Sequence, residues 1–97
     1  MNEQGFWDYC KEVLMKDGKE LGDYPQISQD KINEIGEMLL DPDITAATKK
    51  RAILLLAHQQ SKSAIKALRA YIHKTEDPDL KIFAQFGLEE CIWWNEP

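Results

Sequence analysis

Four basic side chains share one face of a predicted helix. Lys62, Lys66, Arg69 and His73 follow one another at intervals of 4, 3 and 4 residues, and residues three or four apart are neighbours on a helix surface. Such a row can hold an acidic peptide or the acidic surface of another protein by charge complementarity. It equally suits a solvated helix face that has no partner. Together with Tyr71 of the same helix, these residues form the candidate binding site.

The other chemically capable residues lack the spacing that catalysis or metal binding needs. His58 and His73 lie on different predicted helices, and the chain has no His-Glu-x-x-His motif. Ser61 and Ser63 are interpreted as helix N-caps, because no nucleophile-elbow sequence surrounds either of them. The sequence therefore predicts no catalytic residue, no bound metal and no cofactor.

Tryptophans lie near both ends of the chain, with Trp7 in the first predicted helix and Trp93 and Trp94 at the end of the last. A stack of helices has two open ends that must be capped or joined to something. Large aromatic residues can cap these ends, or they can be exposed anchors for a partner or a second copy. We therefore name these three residues as possible end-surface contacts.

The composition restricts the classes of partner. The chain has 97 residues, 43% of them hydrophobic, which suffices for a single domain over residues 1–97. Twelve basic and seventeen acidic residues give a formal net charge of −5. Because binding to duplex nucleic acid depends on neutralising phosphates, this charge makes a nucleic-acid partner a poor candidate.

The cysteines and apolar runs indicate a cytoplasmic protein without a membrane span. Cys10 and Cys91 have neither metal-site nor redox-motif spacing, and two cysteines do not make a disulfide framework. The longest apolar run, Ala52 to Ala57, is far shorter than the ~20 residues that a spanning helix needs. The N-terminus lacks the basic region and apolar run of a signal peptide.

The pattern of apolar residues predicts five helices and no strand. They are expected near residues 3–16, 28–40, 45–59, 61–74 and 78–94. Asp17-Gly18 should end the first helix, and residues 19–27 should form a long loop that is mobile or functional. Ser28 and the Asp77-Pro78-Asp79 turn should begin helices. The third helix is apolar almost all round over residues 52–57, which predicts a central position.

The chain contains a weak internal repeat. Aligning Ser28 with Ser61 also aligns the apolar residues of the second and fourth helices, at an offset of 33 residues. Aligning Ala52 with Ala84 matches the third and fifth helices at an offset of 32. Fixed-period similarity is typical of helical solenoids. Helices two and four are thus expected to be of one kind, and helices three and five of the other.

The segment Ala64–Leu68, followed by Asp77–Leu88 with its acidic-proline turn and central Ala84, resembles the HEAT repeat. It is most similar to the short bacterial repeats also found in phycobilisome-lyase-type proteins. The resemblance covers residues 61–92 well, 28–60 less well and 1–27 poorly. It departs from the family where Ile82 and Phe83 replace an arginine, and where extra residues follow the first Asp-Pro-Asp turn.

The resemblance implies a short right-handed α-α superhelix, with helices one, three and five in the outer layer and helices two and four lining a concave inner layer. The expected function is a non-catalytic protein- or peptide-binding module, such as a small bacterial regulator or an immunity-like inhibitor. Two alternatives stay open. One is a bilin-lyase-like accessory subunit of an enzyme, and the other is a structural homodimer.

Overall fold

A computed structural model describes residues 1–14 and 24–95, which form helices joined by turns and loops, with no strand among them. The predicted all-α fold is confirmed, and the described residues form five helices. The helices are α1 (Glu3–Leu14), α2 (Gln29–Leu39), α3 (Ala46–Ala57), α4 (Lys62–Lys74) and α5 (Pro78–Asn95). The predicted last residues of the first helix, its Asp17-Gly18 stop and the loop up to residue 23 lie outside the described residues.

Each helix after α1 begins at a residue that can cap it. Ser28, Thr45 and Ser61 precede α2, α3 and α4, and the hydroxyl of each accepts a hydrogen bond from a backbone N–H of the first turn. The Asp77 carboxylate does the same for α5, because its Oδ1 accepts from the amides of Asp79 and Leu80. These caps satisfy N–H groups that have no partner inside the helix. They set the helix starts within one residue of the prediction.

The helices pack in two rows. One row consists of α3 and α5, and the other consists of α2 and α4. The short connection 75–77 joins α4 to α5. The shortest dimension of the molecule, 22 Å, corresponds to two helix diameters of about 10 Å each. This arrangement places helices of the same predicted kind side by side, as the offsets of 32 and 33 residues indicated.

The hydrophobic core runs between the two rows, and α3 lies at its centre. As predicted, α3 is covered on several sides, and its buried residues include Ala52, Ile53, Leu55, Leu56 and Ala57. The remaining helices each contribute one buried face, which comprises Phe6 and Cys10 of α1, Ile32, Ile35, Met38 and Leu39 of α2, Ala64, Leu68 and Tyr71 of α4, and Leu80, Ala84, Gly87 and Cys91 of α5.

Polar contacts attach α1 to the first turn of α3. The Glu3 carboxylate accepts hydrogen bonds from the hydroxyls of Thr45 and Thr48, both at 2.5 Å. The indole nitrogen of Trp7 donates to Thr48 Oγ1 at 2.9 Å. The carboxylate is therefore placed at the positive end of the α3 dipole, where negative charge is stabilising.

A buried glutamine joins the segment before α2 to the end of α3. Gln59 is fully buried, and its Nε2 donates to Pro25 O at 2.9 Å and to Leu55 O at 3.1 Å. Its Oε1 accepts from Ile27 N at 2.8 Å. Burying an amide without hydrogen-bond partners costs free energy, and these three bonds avoid that cost. They also hold the segment that leads into α2 against the end of α3.

Candidate functional site

The basic row, which comprises Lys62, Lys66, Arg69 and His73, is exposed along the whole of α4. The buried residues Ala64, Leu68 and Tyr71 occupy the opposite side of the helix. The ion pairs among residues 1–14 and 24–95 are Lys31–Glu34 and His58–Glu90. Within that part of the chain, the basic row therefore has no acidic partner, and its charge is directed to solvent.

A groove beside the basic row separates α4 from α5. It has a volume of about 520 Å³ and is lined by Lys62, Ile65, Lys66, Arg69, Ile92 and Asn95. Ile65 and Ile92 are half-buried and supply an apolar surface between the two helices. We call this the α4–α5 groove. Three of the four members of the basic row thus border an apolar channel, and His73 lies beyond its end.

A second groove runs between α2 and α4. It has a volume of about 480 Å³, and Lys66 borders it as well as the α4–α5 groove. On the α2 side it is lined by polar residues that include Asn33 and Glu37. No ion pair joins α2 to the basic row within the described chain, and Glu34 pairs instead with Lys31 of its own helix. Lys66 is therefore central to this face of the molecule.

The assignment of Tyr71 to the binding face needs correction. Its side chain is only 2% exposed and belongs to the hydrophobic core. The Lys49 ammonium lies 5.6 Å from the centre of its ring. Its hydroxyl has no hydrogen-bond partner among the described residues. Tyr71 follows Ala64 and Leu68 at helical spacing, so it points inward with them and is not available to a partner.

The outer side of α5 carries apolar residues that the sequence reasoning did not assign to a site. Ile82, Phe86 and Trp93 are 53%, 67% and 70% exposed. With Glu89 they form one row at intervals of 4, 3 and 4 residues, opposite the buried face of the helix. We call these four residues the α5 outer row. The sequence does contain an indication of this row, because α5 has more apolar residues than one buried stripe can hold.

The three tryptophans have different surroundings. Trp7 is half-buried, hydrogen-bonded to Thr48, and has the Arg51 guanidinium 6.0 Å from its ring centre, so it is part of the fold. Trp94 is 40% exposed and lies 6.4 Å from the His58 ring, centre to centre. Trp93 packs edge-on against Trp94 and is otherwise open. Of the three, Trp93 is therefore best placed to contact a partner.

The two cysteines and His58 are held within the fold. Burial raises the pKa of both Cys10 and Cys91 to about 11, which keeps these thiols protonated at neutral pH. His58 has its Nδ1 2.7 Å from Leu54 O and its Nε2 3.2 Å from Glu90 Oε1, and its ring stacks on Tyr24. Residues 1–14 and 24–95 contain no cluster of metal-ligating side chains.

Comparisons with known proteins add no further assignment. No family model matches the chain, and neither curated proteins nor solved structures contain a significant match. In the part of the chain that the structure describes, no helix is long and apolar enough to cross a bilayer. The exposed chemistry of α4 and α5 is therefore the basis for assigning a function.

Proposed function

We propose that this chain is a non-catalytic protein-binding module whose working surface is the α4–α5 face: the basic row, the α4–α5 groove and the α5 outer row. The observation that carries the proposal is that Lys62, Lys66 and Arg69 border an apolar groove without an acidic partner in residues 1–14 and 24–95. The basic row is thus a positive surface on a chain whose formal net charge is −5.

The chemistry of this face fits a protein better than a nucleic acid. Exposed phenylalanine and tryptophan beside a charged rim are typical of protein interfaces. Asp79, Glu89 and Glu90 lie on α5, the other helix of this face, and would repel a phosphate backbone. A surface with acidic groups next to apolar ones would satisfy the lysines and cover the aromatic rings at once.

The HEAT-like assignment and its right-handed superhelix are part of the same proposal. The side-by-side packing of α3 with α5 and of α2 with α4 supports it, because repeat helices of one kind lie next to each other in such stacks. We also place the module in the cytoplasm, since Cys10 and Cys91 are free and buried. A regulator or immunity-like inhibitor is the setting that this size and acidity suit.

Charge reversal tests the proposed surface. The K66E/R69E variant should lose the proteins that the immobilised wild-type chain retains from a lysate of its host, while its melting temperature stays unchanged because both side chains are exposed. K11E/K50E is the matched control, since it changes the net charge equally at exposed positions on α1 and α3. Equal retention by wild type and K66E/R69E would show that this face is not the working surface.

A further inference from the structure

We propose that the protein bound by the α4–α5 face is a second copy of this chain, in a two-fold dimer that places α4 of each copy on α5 of the other. The inference rests on the proposed function, because it names the occupant of that same face. Three features of the face support it: its division of charge, the level of Glu89 along the helices, and the exposed apolar residues of α5.

The two helices of the face carry opposite charge. Residues 62–74 contain no aspartate or glutamate, and their basic residues are Lys62, Lys66, Arg69, His73 and Lys74. α5 has Asp79, Glu89 and Glu90 against the single Lys81, and of these three carboxylates Glu90 pairs with His58. A face with one positive and one negative half is complementary to a rotated copy of itself.

Two-fold symmetry restricts how two such faces can meet. If the axis lies parallel to the helices and between the two copies, each α4 comes opposite the partner's α5. An axis across the helices would instead set α4 on α4 and α5 on α5, so like charges would oppose each other. The charge pattern therefore favours the first arrangement, which is isologous and closed.

The level of Glu89 along the helices agrees with this arrangement. An axis parallel to the helices preserves height, so residues that are level within one chain come opposite each other in the dimer. Ile92 lines the same groove as Lys62, Lys66 and Arg69. Glu89 lies three residues, or about 4.5 Å, nearer to the α4–α5 connection, which brings it level with Lys66 and Arg69. Each Glu89 would thus meet these two cations of the other copy.

The same contact would cover the apolar part of the α5 outer row. Ile82, Phe86 and Trp93 are each more than half exposed, and exposed apolar rows of this kind mark association surfaces. α5 is about 27 Å long and neighbouring helices lie about 8–10 Å apart, so the face is near the lower end of specific interfaces in area. We therefore expect a dimer that dissociates on dilution.

The experiment is a charge swap monitored by sedimentation velocity from about 1 μM to about 1 mM, the range in which weak dimers dissociate. Wild type should change from monomer to dimer within this range. K66E/R69E and E89K should each dimerise at least tenfold more weakly, because like charges meet at both symmetry-related contacts. An equimolar mixture of the two variants should form a heterodimer, since both contacts then pair opposite charges.

Circular dichroism of each variant separates loss of pairing from loss of folding, and K11E/K50E should dimerise like wild type. Wild type that stays monomeric over the whole range, or a dimer that the swap neither breaks nor restores, would overturn the second-copy assignment. The proposed function would fail separately, if K66E/R69E captured the same proteins from the lysate as wild type. A monomer that loses a foreign partner on charge reversal would keep the function and replace the occupant with an acidic helix or loop of another protein.

Discussion

Gly87 of α5 lies directly against Ile53 of α3. A Cβ atom added at position 87 would be 2.8 Å from Ile53 Cγ2 and 3.6 Å from Ala57 Cβ. The first distance is too short for two carbon atoms, so only glycine permits this spacing of the two helices. The contact therefore sets the spacing of α3 and α5, the two helices of one row.

Replacing Gly87 with alanine should destabilise the fold. The added methyl group overpacks the contact at a cost of about 1–3 kcal/mol, and the better helix propensity of alanine offsets about 1 kcal/mol of it. Urea unfolding measures the difference. In an I53A background, which removes the obstructing methyl group, the same substitution should be neutral or stabilising. An equal loss in both backgrounds would contradict the proposed contact.

Replacing Gln59 with leucine should lower the free energy of unfolding by about 2–3 kcal/mol. The change leaves the Ile27 amide and the Pro25 carbonyl without their buried partner, and each unsatisfied group costs about 1–3 kcal/mol. Q60L is the control, because the Gln60 side chain is exposed and only its backbone amide bonds to Gln26. If both variants unfold at the same urea concentration, the buried network does not stabilise the fold.

Glu3 should make the fold less stable in acid. Hydrogen bonds from the Thr45 and Thr48 side chains hold the pKa of its carboxyl below the ordinary value. A lowered folded-state pKa stabilises the fold at pH above the unfolded-state value, and this contribution is lost as the pH falls through the folded-state pKa. The E3Q variant should therefore lose less stability than wild type between pH 7 and acid pH.

The matched control for this pH dependence is E12Q, which alters an exposed carboxylate on the same helix. Denaturant unfolding at a series of pH values should give parallel curves for wild type and E12Q, whereas the E3Q curve should be flatter below the ordinary glutamate pKa. A wild-type pH profile in E3Q would mean that the bonds from Thr45 and Thr48 do not favour the ionised form.

Both thiols should resist modification in the folded protein. Burial raises the pKa of Cys10 and Cys91 to about 11, so only about one thiol in a thousand is ionised at pH 8 even before access is considered. A disulfide reagent should label neither residue rapidly at that pH, and both should react at once in urea. Rapid labelling of the C10S or C91S variant in native buffer would show that the remaining thiol is accessible.

Helix boundaries were predictable because they depend on local signals. Ser28, Ser61 and Asp77 cap helices where the sequence indicated, since a cap needs only the residues of its own first turn. The buried role of Gln59 was not predictable, because its partners Pro25 and Ile27 lie more than 30 residues away in the chain.

Two features of the candidate site differ from the sequence-based expectation. Tyr71 lies at helical spacing from Ala64 and Leu68, so it belongs to the single buried stripe of α4 and not to the basic row on the opposite side. Ile82 and Phe86 lie outside the buried stripe of α5, and the pattern of apolar residues does not show whether another helix covers them. Which apolar residues remain outside a core depends on how many neighbours a helix has, and that is a tertiary property.

The exposed position of Ile82 and Phe86 can be tested without knowing any partner. The I82Q/F86Q variant should unfold within about 0.5 kcal/mol of wild type, as surface substitutions do, while self-association at high concentration should weaken. The L80Q variant on the same helix is the contrast, because Leu80 is buried and a polar group there should cost several times more. Equal destabilisation by I82Q/F86Q and L80Q would mean that Ile82 and Phe86 stabilise the monomer, and that the outer side of α5 is no free surface. Normal stability combined with unchanged sedimentation would place the association surface elsewhere, because a dimer through this face must bury both side chains.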